Sequence, residues 1–327
     1  MTSQNAKTVL DPIIDQYLKK WRSLGRKFSG EESVLRSLNR WLQEQKASDL
    51  TAPLFDAWCR THESLSGTVR RNRQRIVRNF CLYRRRMEPT CFVPDPNRFP
   101  KPSPHAAPVI LQEEDIAKLL KAARNCPAVP ISPLHPDVLR LAIVLLYTAG
   151  LRRGEVLRLT LGDVDAEKGL LTIRQSKFHK SRLVPLSADA RREVRTYLKK
   201  RLTQSVDPSN TAPLIGHAWK GGWKRYTGTG LRDRIMALFR KANVVGSDGR
   251  TPRIHDFRHS FAVHSLLRWY RSGADVPSKL PKLALYMGHV SIVSTAYYLQ
   301  WLPEIADAAS ARFEAYAGHL ITGGSSR

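Results

Sequence analysis

The chain has 327 residues, 42% of them hydrophobic, and carries a formal net charge of +26. That length accommodates two domains with cores of their own, and that charge points to a polyanionic partner such as nucleic acid. The start MTSQNAKTVLDPIIDQ has no charged head followed by an apolar run, and the most apolar stretch, 138–149, is interrupted by Arg140 and too short for a bilayer, which excludes a signal peptide and a membrane span and implies a soluble, cytoplasmic protein.

In chain order, residues 1–88 read as helices. Ile13, Ile14, Tyr17, Leu18, Trp21 and Leu24 recur at helical spacing. Ser29 and Glu32 form a capping-box pattern ahead of Val34, Leu35, Leu38, Trp41 and Leu42. A shorter helix is expected over 54–60 and a long one over 65–86. The long helix holds Arg70, Arg71, Arg73, Arg75, Arg78, Arg84, Arg85 and Arg86 and no acid, a face suited to DNA backbone contact. Residues 88–108 contain seven prolines, which suit neither helix nor central strand, so an extended linker over 89–108 is expected to separate a DNA-binding domain (1–88) from a second domain (109–327). In the second domain, helices are predicted over 112–123 and 136–148, the latter stopped near Gly150. Strands are predicted over 170–174 and 182–186 with QSKFHKS as their turn, followed by helices over 187–202, 230–242, 256–271, 279–287, 292–299 and 303–317. The fold class is mainly α with one small β-sheet (α+β). Cys59, Cys81, Cys91 and Cys126 lack CxxC spacing and read as free thiols in a reducing compartment.

Six side chains in this second domain have the chemistry to break a phosphodiester without a metal: Arg152, Lys177, His255, Arg258, His289 and Tyr298. Planar guanidiniums meet paired phosphate oxygens, so Arg152 and Arg258 suit the charge that builds on phosphorus. A phenol such as Tyr298 becomes a nucleophile when positive neighbours favour its phenolate, although Tyr297 competes for that role. Lys177, in the predicted turn, suits protonation of a departing 5′-oxygen, with Lys180 and Arg182 beside it as phosphate anchors. His255 and His289 are placed to donate hydrogen bonds or shuttle protons. Glu155, one turn after Arg152, reads either as the residue that orients a basic neighbour or as a surface ion pair. A zinc reading of His255 and His259 is disfavoured because Asp256 stands where the protease pattern wants glutamate.

These segments resemble the tyrosine recombinase (phage integrase) family. TAGLRRGEVLRL is similar to the family's T-G-L-R-x-x-E-L, which assigns its arginine to Arg152 and its acid to Glu155; KFHKSRLVPL is similar to the lysine box, giving Lys177; HDFRHSFA resembles H-x-L-R-H-x-F-A, giving His255 and Arg258; MGHVSIVSTAYY resembles the family's last box, in which the tyrosine falls nine residues after the histidine, and this spacing selects Tyr298 over Tyr297. The resemblance implies a helical core-binding domain and a catalytic domain forming a C-shaped clamp on double-stranded DNA. It also implies a 3′-phosphotyrosine intermediate, no cofactor, and work as a homo-tetramer on paired sites with inverted repeats. The C-terminal segment 303–317 would then dock in a neighbouring protomer or pack in cis. Relaxation by a type IB topoisomerase and a non-catalytic DNA-binding regulator are the competing readings.

Overall fold

The computed structural model describes residues 8–104, 106–127, 132–174, 181–204, 206–289, 295 and 298. The expected turn 175–180, with Lys177 and Lys180, and the expected helices at 292–299 and 303–317 lie outside the described residues, apart from positions 295 and 298. The chain forms two compact units, Met1–Ala106 and Ala107–Arg327.

The first unit is helical: α1 (Leu10–Ser23), α2 (Ser29–Glu44), α3 (Ala52–Arg60) and α4 (Gly67–Arg84). Ile14, Leu35, Leu38 and Leu42 of the predicted stripes are almost fully buried in its core, together with Leu10, Trp58, Val77 and Phe80, whereas Leu24 of the first stripe is 63% exposed. Truncating such a leucine to alanine costs about 2–5 kcal/mol. The expected capping box at Ser29 and Glu32 does not form. Phe28 precedes the helix in the left-handed region (φ 50°), its ring stacks on Trp21 at 5.6 Å, and Glu32 turns back to Arg22. The aromatic contact fixes the entry of the chain, and the acid goes to a stronger, charged donor.

The arginine-rich helix is more structural than its composition suggests. Arg84 is 6% exposed and tied to Asp49 and Glu88. Arg71 donates to the Pro100 carbonyl at 3.1 Å, Arg78 donates to the Pro94 carbonyl, and Arg73 meets His62 at 2.7 Å. The proline-rich segment is thus strapped along α4. Its Cys91 and Phe99 are buried, Phe99 in the core of this unit, and Pro96–Arg98 makes a single 3₁₀ turn capped by Asp95. All four cysteines are free thiols.

The second unit is built around α6 (His135–Thr148), whose side chains from Val138 to Leu146 are nearly all buried. Helices α5 (Glu113–Arg124), α8 (Ala188–Thr203) and α10 (Asp256–Arg271) surround it. The charged residue inside α6, Arg140, is compensated by Glu193 of α8 at 2.8 Å. A short helix that the sequence reading missed, α7 (Arg153–Arg158), precedes the sheet of β1 (Val164–Asp165), β2 (Leu170–Ile173) and β3 (Arg182–Pro185). The strands are antiparallel, with Leu171 opposite Val184 and both buried on the core face. A second sheet corrects the expectation of one: β4 (Gly216–Trp219) and β5 (Gly222–Arg225) form a hairpin. Helices α9 (Gly228–Lys241) and α11 (Val276–Met287) are the other helices among the described residues of this unit, α11 starting three residues before the predicted position because Asp275 caps it. Among the described residues no helix is long and apolar enough to cross a membrane.

Gly150 closes the break between α6 and α7. It has φ +57°, and a Cβ there would lie 2.4 Å from the Phe261 ring of α10. Only glycine permits both the left-handed turn and the approach of α10.

Candidate active site

The site is organised by the C-terminal end of α11. A helix end leaves carbonyls without intrahelical donors and carries partial negative charge. Here three guanidiniums from three distant segments supply the donors. Arg182, on β3, donates through Nε to the Tyr286 carbonyl at 2.8 Å. Arg258, in the first turn of α10, donates to the Met287 carbonyl at 2.7 Å and to the Gly150 carbonyl at 2.6 Å. Arg152, the residue preceding α7, donates to the Gly288 carbonyl at 3.0 Å. Gly288 ends the helix in the left-handed region (φ +67°), and a Cβ at that position would stand 2.8 Å from the Arg182 guanidinium.

Glu155 supplies the counter-charge. It is 2% exposed, and its two oxygens accept from both terminal nitrogens of Arg182 and from Arg152, each at 3.0 Å. The Arg152 backbone N–H also donates to it at 3.0 Å. Burial alone would raise this carboxyl; the Arg182 hydrogen bonds and charge, then the Arg152 N–H and charge, outweigh it and hold the group down at about 2. Of the two roles left open for Glu155, the orienting one matches this geometry. Arg182, expected as a phosphate anchor, has a guanidinium that is 10% exposed and bonded to Glu155 and the α11 terminus.

The imidazoles complete the pocket. His255 immediately precedes α10 and meets His259 edge-on at 4.7 Å. Burial, then the charges of His259 and Arg258, push His255 down to about 4. His289 follows Gly288, and its Nδ1 lies 2.7 Å from Thr295 Oγ1. Burial and the nearby Arg258 and Arg152 bring it likewise to about 4. Both rings are therefore neutral at pH 7, each with one N–H to donate and one nitrogen to accept. Arg258, 1% exposed, is pushed down to about 10 by burial and then by Arg152, and stays charged. Three guanidiniums against one carboxylate leave two positive charges uncompensated, a match for a phosphodiester and the charge it gains when attacked.

Tyr298 is 3% exposed and packs among Ala262, Val263, Leu266 and Met287. Its ring stacks nearly parallel to His289 at 6.2 Å and meets the edge of His259 at 5.4 Å, within electrostatic reach of Arg258. The structure thus gathers Arg152, His255, Arg258, His289 and Tyr298 in one place. Thr295, which orients His289, had no role in the sequence reading, and His259, which packs on Tyr298, entered it only in the disfavoured zinc reading, although both stand inside its motifs. Among the described residues no group of three His, Cys, Asp or Glu side chains is arranged to hold a metal.

Residues 110–304 match the family model described as the phage integrase family. The chain belongs to this family. Among its relatives is a putative integrase/recombinase, y4rB, of Sinorhizobium fredii (strain NBRC 101917 / NGR234), 33% identical over 92% of this chain and 96% of that protein. Tyrosine recombinase XerD of Proteus mirabilis is 27% identical over 91% of each chain. The fold is shared with the Tn1549 transposon integrase solved in complex with transposon right end DNA (TM-score 0.63, 18% identity, 93% of this chain and 99% of that one). It is shared also with XerH bound to palindromic difH substrate (TM-score 0.61, 18% identity, 92% and 84%). The protein is accordingly a site-specific recombinase of the tyrosine class, mainly α with small sheets.

Proposed function

We propose that this recombinase cuts and rejoins double-stranded DNA through a covalent 3′-phosphotyrosine, with neither metal nor nucleotide cofactor. The observation that carries the reading is the convergence at the α11 terminus of Arg152, Arg258, His289 and the Tyr298 ring. In the proposed reaction the scissile phosphate takes the guanidinium donors of Arg152 and Arg258 in exchange for part of their carbonyl bonding, and N–H donors of His255 and His289. The Tyr298 oxygen loses its proton to a neutral imidazole or to water and attacks phosphorus. The bond to the 5′-oxygen breaks, and Lys177 protonates that oxygen. A 5′-hydroxyl from a partner strand then reverses the step, so phosphodiester bond energy is conserved and no ATP is needed.

The assembly is proposed to be a homo-tetramer on paired sites with inverted repeats, acting in integration, transposition or dimer resolution inside the cell. Residues 1–88 are proposed as the core-binding domain, 89–108 as the connection and 109–327 as the catalytic domain. In the first unit, Arg71, Arg73 and Arg78 are bonded to other segments and Arg75 to the nearby Asn72 side chain at 2.9 Å, so phosphate contact there is proposed for Arg70 and for the donors these bonds leave over. The testing experiment is a nicked suicide duplex carrying the recombination site. The wild type forms an SDS-resistant adduct, and Tyr298→Phe binds the duplex without forming one. An adduct with Tyr298→Phe refutes the assignment.

A further inference from the structure

The β4–β5 hairpin plays no part in the chemistry above, yet its two faces are unlike. Strand residues alternate, and directly opposed residues share a face. The register pairs His217 with Lys224, Trp219 with Gly222, Ala218 with Trp223, and Gly216 with Arg225. Trp223 and Arg225 therefore share one face, and that face is fastened to the body. The Trp223 indole donates to the Pro213 carbonyl at 2.9 Å and lies under the Arg201 guanidinium at 4.9 Å. Arg225 reaches the Arg158 carbonyl of α7 at 3.4 Å.

The opposite face rests on the body at its base, where the His217 ring lies 4.9 Å from the Tyr226 ring, and is turned to solvent nearer the tip. Trp219 is 51% exposed, and the Lys224 ammonium rests 5.0 Å from its ring centre. Lys220 and Gly221 form the tip with φ of 48° and 77°, the paired positive angles of a tight type I′ turn, which stiffens the projection. A stiff finger thus presents an indole and two ammonium groups with no acid on it, and Lys220, Lys224 and Arg225 are all exposed. Its root is bonded to α7, the six-residue helix whose other end carries Arg152. At 1.5 Å per residue that helix spans about 9 Å. Along a strand of duplex, phosphates recur about every 3.4 Å. A phosphate at Arg152 and the root of the finger are thus only about three such spacings apart.

We propose that the β4–β5 hairpin is a second DNA-contacting element of the catalytic unit, in which Lys220 and Lys224 pair with backbone phosphates and Trp219 lies against the deoxyribose between them. This rests on the proposed reading of the site as a DNA-cleaving one. The contact is sequence-independent, because an ammonium and an indole face read the backbone and not a base-edge pattern.

The test uses the full chain carrying Tyr298→Phe, so that binding is measured without cleavage, on a site-containing duplex across a salt series. Each neutralised phosphate contributes about 0.9 to the slope of log affinity against log salt, so Lys220→Ala with Lys224→Ala flattens the slope by about 1.8. Trp219→Ala weakens binding at every salt concentration without changing the slope. All three positions are exposed, and an unchanged thermal midpoint confirms that each variant is folded. If either variant binds as the parent does, the hairpin proposal is overturned while the active-site reading stands. A parent protein that binds no duplex at all overturns both.

Discussion

The most informative perturbation is removal of the charge on Glu155. This carboxylate is buried between Arg152 and Arg182 and held at about 2, against an ordinary value of 4.5. A separation of about 2.5 in pKa, at about 1.36 kcal/mol for each, is worth about 3 kcal/mol of stability at neutral pH. The folded value is the depressed one, so this stability is complete above pH 4.5 and drains away as pH falls toward 2. At pH 3.5 the wild type has already lost part of it, because the unfolded chain takes up a proton more readily. Glu155→Gln keeps the shape and one acceptor but never carries the charge. Urea denaturation at pH 7 is expected to show the variant less stable by about 3 kcal/mol, and at pH 3.5 by only about 2. Glu155→Ala costs more, about 3–5 kcal/mol, because two guanidiniums are left near an empty space. A Glu155→Gln deficit that is the same at both pH values, or that is absent at pH 7, refutes the view that the charge orients the two arginines.

Two further expectations are narrower. Gly150→Ala places a methyl group against Phe261 and forces a left-handed residue, so thermal unfolding should show a loss of about 1–3 kcal/mol, partly relieved by Phe261→Leu; full stability in the single variant would contradict the clash. Thr295→Val removes the oxygen that orients His289, one hydrogen bond of about 1 kcal/mol, and should slow single-turnover cleavage about fivefold with adduct yield on a nicked site retained; an unchanged rate would remove Thr295 from the site.

Much of the catalytic unit is legible before any coordinates. Reacting side chains sit in short local patterns, and each pattern falls at an element boundary: Arg152 before α7, His255 before α10, His289 after α11. The apolar run of α6 announces a buried helix in the same way. What the sequence hides is pairing between distant segments. Arg182 reads only as a phosphate anchor beside Lys177, and its bonds to Glu155 and the Tyr286 carbonyl come from segments far off in the chain. The β4–β5 hairpin has no apolar alternation, and its tryptophans stand four apart, a helical spacing, so only the Lys220–Gly221 turn could have signalled it. At Phe28 a ring stack displaced the Ser29 cap, a tertiary contact that local capping preference does not foresee.

The sharing of one set of terminal carbonyls by β3, α7 and α10 has a practical corollary for swapping parts between recombinases. Arg182, Arg152 and Arg258 each presuppose the same Gly288-terminated end, and Gly288 in turn presupposes a guanidinium where its side chain would be. A hybrid joined anywhere between 150 and 289 inherits half of that mutual arrangement from each parent. Seams placed outside this stretch transplant it whole.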